Sequence, residues 1–165
     1  MPCPIHIVIG QSGAGKTTFV QRTFVTPQKA WSVSTMYPVA VSMVDGVAFL
    51  GKYTGAIRTK GTDTLPYNAI QKILDTVDAL EASSVRAIVV EGDRINNARF
   101  FDHVFRKGYD AHLYLVEAPL ETSMARLARA GSKITLTFVK ATRTKSATMF
   151  ALYGKFMHGR KVKGG

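Results

Sequence analysis

The sequence predicts an α/β fold, with a parallel sheet flanked by helices, a β-hairpin insertion and a basic lid region. Three observations support this class. Segments typical of strands and of helices alternate along the chain. Residues 85–90 are rich in β-branched side chains, as expected for a strand buried on both faces. Asp45 and Gly46 separate two short apolar runs, 39–44 and 47–50, which is the strongest short signal for a hairpin.

The first predicted strand and the loop after it form the most informative motif. Residues 5–9 are an apolar run, and residues 10–17 read Gly-Gln-Ser-Gly-Ala-Gly-Lys-Thr, the P-loop pattern. Glycines let such a loop curl so that its N–H groups point at phosphates, while Lys16 bridges the terminal phosphates and Thr17 ligates Mg²⁺. The motif predicts a P-loop NTPase-type sheet that binds ATP and Mg²⁺. The predicted phosphate-binding residues are Gly10, Gln11, Ser12, Gly13, Ala14, Gly15, Lys16, Thr17 and Thr18.

The middle of the chain continues the alternation of helices and strands. Residues 17–24 extend the P-loop as a short helix, whose N-terminus favours a bound anion. After the hairpin, residues 51–64 have the composition of a loop, and Pro66 opens a helix. The apolar positions of that helix fall on one face, which predicts that it packs on the core. These positions are Ile70, Ile73, Leu74, Val77 and Leu80.

A helix, a strand and a further helix follow the strand over 85–90. Residues 97–107 predict a helix that Gly108 ends, because glycine tolerates the left-handed conformation of a helix C-cap. It leads to a strand over 111–116. Pro119 starts the next helix, which Gly131 ends.

The last third of the chain fits more than one assignment of elements. Residues 133–143 are compatible with a strand, because 134–138 alternate apolar and polar, and with a mobile lid. A final helix is predicted over 145–157. We expect residues 1–158 to form a single domain around the P-loop and residues 159–165 to be a basic flexible tail.

Positive charge is concentrated at the carboxyl end of the chain. The formal net charge is +11; residues 1–121 carry twelve Lys/Arg against eleven Asp/Glu, and residues 122–165 carry ten Lys/Arg and no acid. Ten unopposed cations exceed what a nucleotide requires, so a polyanionic partner is the simplest explanation, and a solvated basic extension is the alternative. The ten are Arg126, Arg129, Lys133, Lys140, Arg143, Lys145, Lys155, Arg160, Lys161 and Lys163.

The sequence argues against a disulfide-linked, secreted, membrane-spanning or histidine-ligated metal protein. The one cysteine, Cys3, cannot form an internal disulfide and is expected to be a packing residue. The sequence has neither a signal-peptide pattern nor an apolar run of membrane-spanning length, which predicts a soluble cytoplasmic protein. The four histidines lack ligand spacing, so no metal beyond Mg²⁺ is predicted.

Acidic residues directly follow the predicted strand over 85–90. Ligands of open α/β sheets bind at the carboxyl edge of the strands, so Glu91 and Asp93 should emerge beside the P-loop. We predict that Glu91 is catalytic and holds Mg²⁺ directly or through water, with Asp93 as the alternative. Asp63, in a loop just before a helix, is predicted as the carboxylate near the acceptor hydroxyl, and helix capping is its alternative role.

Phosphoryl transfer requires cationic side chains near the transferred group, in addition to a P-loop, a metal-holding acid and a carboxylate near the acceptor. Arginines of this sequence are the candidates for that role. Arg126 and Arg129 share a helix face and are predicted to be catalytic lid arginines, the alternative being a solvated basic helix end. Arg58 and Arg94 are candidates for contacting a substrate phosphate, although either is also compatible with a simple exposed cation.

These motifs together resemble a known group of enzymes. Residues 10–18, the segment Glu91-Gly92-Asp93-Arg94 and the helix with Arg126 and Arg129 resemble the small P-loop kinases of the nucleoside, nucleotide and polynucleotide kinase group, over most of the chain. More narrowly, residues 51–66 and the segment after the strand resemble bacteriophage kinases that phosphorylate 5-hydroxymethyluracil within DNA during thymine hypermodification.

The narrower resemblance implies ATP-dependent transfer to the hydroxymethyl group of a base in DNA, in the host cytoplasm if the chain is phage-encoded. The basic last quarter agrees with DNA as partner, and no membrane or protein partner is indicated. A base that reacts within DNA leaves the stack, so aromatic side chains should line the acceptor site, with core packing as their alternative role. The aromatic candidates are Tyr53, Tyr67, Phe100 and Phe101, and the predicted substrate-binding residues are Arg58, Asp93, Arg94 and Tyr53.

Two other functions remain compatible with the sequence. A kinase of free nucleosides or nucleotides would not need the basic tail. A non-kinase switch protein that binds ATP or GTP is the second alternative, although the guanine-reading pattern Asn-Lys-x-Asp does not occur in the sequence.

Overall fold

The computed structural model of the protein describes residues 3–53 and 60–164. Within these residues the strands are β1 (Ile5–Gly10), β2 (Ser32–Ser34), β3 (Val41–Val44), β4 (Val47–Leu50), β5 (Ala87–Glu91), β6 (Ala111–Glu117) and β7 (Arg160–Lys163). The helices are α1 (Lys16–Phe24), α2 (Ile70–Glu81), α3 (Ala98–Lys107), α4 (Leu120–Arg129) and α5 (Leu136–Tyr153). None of the helices in the described ranges is both long enough and apolar enough to cross a membrane.

The strands form one mixed sheet in the order β2-β3-β4-β5-β1-β6-β7. The five strands from β4 to β7 in this order pair in parallel, whereas β2 with β3 and β3 with β4 are antiparallel. Helices flank the sheet, so the predicted P-loop NTPase-type α/β fold is confirmed. The hairpin joins the parallel sheet at its β4 strand and makes the sheet mixed.

The position of β1 in the middle of the sheet explains where the site lies. Ile5, Ile7 and Ile9 belong to the hydrophobic cluster on one side of the sheet, and Val8 belongs to the cluster on the other. Alternate side chains of a strand point to opposite faces, so β1 is covered on both sides. Its end at Gly10 therefore opens at the carboxyl edge of the parallel strands.

The predicted hairpin is confirmed. Val44 pairs with Val47, and between them Asp45 and Gly46 have φ angles of 49° and 79°. Both values lie in the left-handed region that a type I′ turn requires. Strand β2 was not predicted, because Ser32–Ser34 carries a single apolar residue and is mostly exposed.

Helices α2 and α3 follow the prediction closely. The apolar face of α2 is buried as expected, although the helix begins at Ile70 rather than at Pro66. In α3 the Asn97 side chain accepts a hydrogen bond from the Phe100 N–H, and Gly108 ends the helix with φ 67°. A side-chain N-cap and a left-handed glycine therefore define the two ends of α3.

The carboxyl-terminal third differs from the sequence prediction in two ways. The segment 134–138 is not a strand, because Thr135 caps α5 by accepting a hydrogen bond from the Phe138 N–H. The helix thus begins nine residues before Lys145, the predicted start. The expected flexible tail is also wrong for residues 160–163, which form β7 and pair in parallel with β6.

Candidate active site

The P-loop connects the end of β1 to the start of α1. Gly13 has φ 76°, and a Cβ atom at this position would lie 2.7 Å from the carbonyl oxygen of Ser123. Gly15, directly before the helix, has φ 98°. Side chains are strained in this region of φ, so the curled path of the loop requires glycine at both positions.

Lys16 lies folded across its own loop. Its Nζ atom donates to the carbonyl oxygens of Gly10 and Gln11, at 3.0 and 2.9 Å. Burial lowers the pKa of the Lys16 ammonium group, and the nearby carboxylates, Asp63 and Glu91 foremost, oppose that shift. The carbonyl oxygens of the loop therefore hold the ammonium group in this structure. A terminal phosphate bound in the loop would offer the same group a negatively charged partner.

Gln11 and Ser12 also connect the P-loop to the helices around it. Gln11 is buried, and its Nε2 atom donates to the Ala118 carbonyl and to Ser123 Oγ, which fixes the loop to α4. The Ser12 backbone N–H donates to Thr142 Oγ1 on α5 at 3.1 Å. These contacts hold the P-loop against α4 and α5.

Thr17 and Glu91, the two predicted ligands of Mg²⁺, are in direct contact. Thr17 Oγ1 donates to Glu91 Oε1 at 2.7 Å, and Glu91 is only 1% exposed. Burial raises the pKa of the Glu91 carboxyl, while the hydrogen bond from Thr17 and the charge of Lys16 oppose the shift. Glu91 Oε2 and the Tyr53 hydroxyl are buried next to each other, and neither has a hydrogen bond of good geometry within the described residues. The Tyr53 hydroxyl also acts on Glu91 and favours its charged form, which lowers the pKa of the carboxyl.

These atoms fit a magnesium ion. Mg²⁺ prefers oxygen ligands and is usually held by one or two protein groups together with phosphates and water. The Thr17 hydroxyl and the buried Glu91 oxygen supply such ligands next to the P-loop. Burial of the Glu91 carboxylate is costly, and a cation would compensate for that cost.

Asp63 lies in a 3₁₀ turn, Thr62–Thr64, beside the end of β5. Its Oδ1 atom accepts a hydrogen bond from the Asp93 N–H at 2.9 Å and lies 3.8 Å from Arg94 Nη1. The alternative role of capping α2 is wrong, because α2 begins at Ile70 without a side-chain cap. The carboxylate is therefore positioned by the chain that follows β5.

Asp93 and Arg94 face a different part of the site from Glu91. Asp93 Oδ1 accepts from Lys145 Nζ of α5 at 3.1 Å. Arg94 Nε donates to the Leu65 carbonyl at 3.2 Å, and its guanidinium lies 3.6 Å from the centre of the Tyr67 ring. Both residues therefore connect β5 to the segments around the acceptor side.

The two arginines of α4 are separated by the fold. Arg126 Nη1 donates to the carbonyl oxygens of Gly13 and Ala14, at 3.3 and 3.0 Å. Arg129 is exposed and lines neither of the cavities at the site. Arg126 therefore contacts the P-loop, whereas Arg129 faces solvent away from both cavities. Arg58, the third predicted arginine, is not among the residues that the structure describes.

Tyr53 does not line the acceptor site as predicted. It is 4% exposed and stacks on Trp31 with an interplanar angle of 3°. Phe100 and Phe101 are fully buried in the core on the other side of the sheet. Of the four aromatic candidates, only Tyr67 is exposed, at 84%.

Two neighbouring cavities make up the site. The phosphate cavity, about 290 Å³, contains Lys16, Thr17, Thr18, Lys60, Glu91 and Arg126 in its lining. The acceptor cavity, about 500 Å³, is lined by Tyr67, Asp93, Arg94, Lys133, Thr135 and Phe138 together with the shared residues. Ser12, Asp63 and Ile134 line both cavities.

Several lining residues were not assigned a role from the sequence. Lys60 precedes Asp63 by three positions, and Lys133 belongs to the basic last quarter, so the charge of each was visible although its position was not. Ile134 carries no sequence signal for a site. Its place between the cavities follows from the path of the chain between α4 and α5.

Comparison with known proteins agrees with this geometry. No curated protein gives a significant match to the chain. The model of the family described as P-loop Nucleotide Kinase3 matches residues 3–164, which include the P-loop, Asp63, Glu91 and all seven strands of the described sheet. Members of a P-loop nucleotide kinase family are expected to carry out ATP-dependent phosphotransfer. Because the match covers nearly the whole sequence, the chain belongs to the P-loop Nucleotide Kinase3 family.

Proposed function

We propose that the chain transfers the γ-phosphoryl group of ATP to a hydroxyl acceptor, namely the 5-hydroxymethyl group of a uracil base within DNA. The observation that carries the proposal is the meeting of two cavities at Asp63. One cavity has the cations and oxygen ligands suited to a triphosphate. The other has room for an acceptor, and a carboxylate lies between them.

The phosphoryl step follows from this arrangement. The acceptor oxygen forms a bond to the γ-phosphorus, the bond from that phosphorus to the β–γ bridging oxygen breaks, and ADP leaves. Asp63 takes the proton of the acceptor hydroxyl. Lys16 leaves its carbonyl partners and neutralises charge on the terminal phosphates.

Other residues hold the reactants. Thr17 and Glu91 would hold Mg²⁺, which supplies positive charge for the β- and γ-phosphates. Arg126 fixes the carbonyl side of the P-loop and reaches the phosphate cavity. Lys60 adds a further cation to the lining of the same cavity.

DNA as acceptor is supported by charge and by the sequence resemblance. Residues 122–165 carry ten cations and no acid, and Lys133 of this set lines the acceptor cavity. A polyanion held at such a surface gains from counterion release. The resemblance of residues 51–66 and 91–94 to kinases of 5-hydroxymethyluracil in DNA supports the same acceptor.

The proposal is tested with ATP labelled at the γ-phosphate. The acceptors are an oligonucleotide that contains 5-hydroxymethyluracil, the same sequence with thymine, and free 5-hydroxymethyluridine. We expect strong label in the first oligonucleotide and none in the thymine oligonucleotide, since thymine lacks the hydroxyl group. The free nucleoside should take less label than the first oligonucleotide, because it lacks the phosphates that the basic surface would hold. Transfer to the free nucleoside alone would instead identify a nucleoside kinase, and no transfer to any acceptor would favour a nucleotide-dependent switch.

A further inference from the structure

The acceptor cavity has an exposed aromatic ring at its border. Tyr67 lies between Pro66 and α2, is 84% exposed and belongs to neither hydrophobic cluster. Packing of the fold therefore does not account for an aromatic residue here. An exposed tyrosine beside a polar cavity offers a flat surface and a hydroxyl group to a ligand.

Arg94 holds one face of this ring. Its guanidinium lies 3.6 Å from the ring centre, and its own side chain is only 16% exposed. The guanidinium is fixed from behind by the Leu65 carbonyl and by Asp63. Because one face of Tyr67 is covered, its large exposure belongs to the other face and to the ring edges. The pair is a preformed stacking surface.

The segment before α5 and the first turn of α5 border the same cavity with apolar side chains. Ile134 and Phe138 are 37% and 43% exposed, and both line the acceptor cavity. A cavity lined by a tyrosine ring, a guanidinium, an isoleucine and a phenylalanine suits a flat ring. An aromatic ring stacks on the planes of these groups over its whole face, which an alkyl alcohol cannot do.

From these contacts we propose that the Tyr67–Arg94 pair binds the acceptor through its planar ring, and that the enzyme selects a heteroaromatic ring with a hydroxyl on a short arm. The inference rests on the proposed kinase function. Asp63 contacts Arg94 and lines both cavities, so a ring on the pair places a one-carbon arm toward the carboxylate and the phosphate cavity. The base itself, and not its sugar, is the recognised part of the substrate.

Kinetics of two substitutions at Tyr67 test this proposal. Tyr67→Ala should raise the KM for the 5-hydroxymethyluracil oligonucleotide about tenfold, because stacking on an aromatic residue is lost. The KM for ATP should stay unchanged, which also shows that the variant is folded. Tyr67→Phe should restore the acceptor KM to near the original value, since it keeps the ring. Phe105→Ala serves as the matched control, because Phe105 is also exposed, at 52%, and lines neither cavity.

A ligand without sugar or phosphate gives the second measurement. 1-Methyl-5-hydroxymethyluracil carries the ring and its arm alone, so it should inhibit competitively against the oligonucleotide in the original protein and not in Tyr67→Ala. An unchanged acceptor KM in Tyr67→Ala, or absence of inhibition by the ring alone, would overturn the stacking site while leaving the kinase function intact. Absence of transfer to DNA by the original protein would overturn both.

Discussion

The phosphate cavity and the acceptor cavity are adjacent, yet they are built in different ways. The centre of the phosphate cavity is one continuous segment, from the P-loop into α1, and the end of β5, the turn before α2 and helix α4 complete its lining. The acceptor cavity combines side chains from the turn before α2, the turn after β5 and the start of α5. A site made of backbone is encoded locally, whereas a site made of converging side chains depends on the whole fold.

The two cavities should also differ in tolerance to substitution. Around the P-loop, Lys16, Gln11 and Arg126 all bond to carbonyl oxygens, so the loop is held from several sides. Around the acceptor cavity, Tyr67, Ile134 and Phe138 are exposed. We expect substitutions in the first cavity to reduce turnover and substitutions in the second to change the choice of acceptor.

The largest effect is expected for Lys16→Ala. Removal of the ammonium group takes away the charge that neutralises the terminal phosphates, and kcat should fall by about a thousandfold or more, as for other cations in phosphoryl transfer. Transfer of label from ATP measures the change, with thermal unfolding as the check on folding. A variant with normal turnover would show that this cavity does not hold the triphosphate.

A smaller but still large loss is expected for Asp63→Asn. The amide oxygen can still accept from the Asp93 N–H, so the turn should persist, but the proton acceptor is gone. General-base catalysis contributes about a hundredfold or more, so kcat should fall by this amount while the KM for ATP changes little. Asp93→Asn is the matched control, because Asp93 lines only the acceptor cavity. If both variants lost the same activity, Asp63 would not be the base.

The difference between the cavities also explains what the sequence alone could reveal. The strand, glycines, Lys16 and Thr17 of the P-loop are contiguous, and Glu91 follows directly from a recognisable strand. The sequence predicts that these residues share one site, and in the structure Lys16, Thr17 and Glu91 line the same cavity. Tyr53 was misassigned, because exposure of an aromatic residue cannot be read from its neighbours in sequence.

The carboxyl-terminal region shows a second limit of sequence interpretation. Residues 160–163 contain three cations and one apolar residue, Val162, a pattern that local propensity assigns to solvent. Val162 packs against a hydrophobic cluster and the backbone pairs with β6, so tertiary contacts determine the strand. The start of α5 was ambiguous for a similar reason, since the cap at Thr135 outweighs the alternation that follows it.

Strand β7 links the chain end to the phosphate cavity, and Gly164 tests that link. A Cβ atom at Gly164 would lie 1.6 Å from the Ala14 carbonyl oxygen of the P-loop. Gly164→Ala should therefore shift the loop or the strand end, lower the free energy of unfolding by about 1–3 kcal/mol and raise the KM for ATP. Thermal unfolding and steady-state kinetics measure the two effects.

Gly108→Ala is the control for this substitution. Gly108 has φ 67°, but a Cβ atom added there would meet none of the described atoms within 4 Å. Only conformational strain of about 1 kcal/mol is therefore expected, with no effect on the KM for ATP. Equal KM values for ATP in Gly164→Ala and the original protein would mean that β7 does not support the P-loop.

The smallest effect is expected for single cations of the acceptor side. Lys133 lines the acceptor cavity, so Lys133→Ala should weaken binding of single-stranded DNA and reduce the slope of log K against log salt by about 0.7. Turnover at saturating DNA should persist, because the phosphate cavity is intact.

Lys161, on the edge strand β7, is the comparison, and its Nζ lies 5.9 Å from the centre of the Phe150 ring. A larger change of slope for Lys161→Ala than for Lys133→Ala would show that DNA follows the edge of the sheet rather than the mouth of the acceptor cavity.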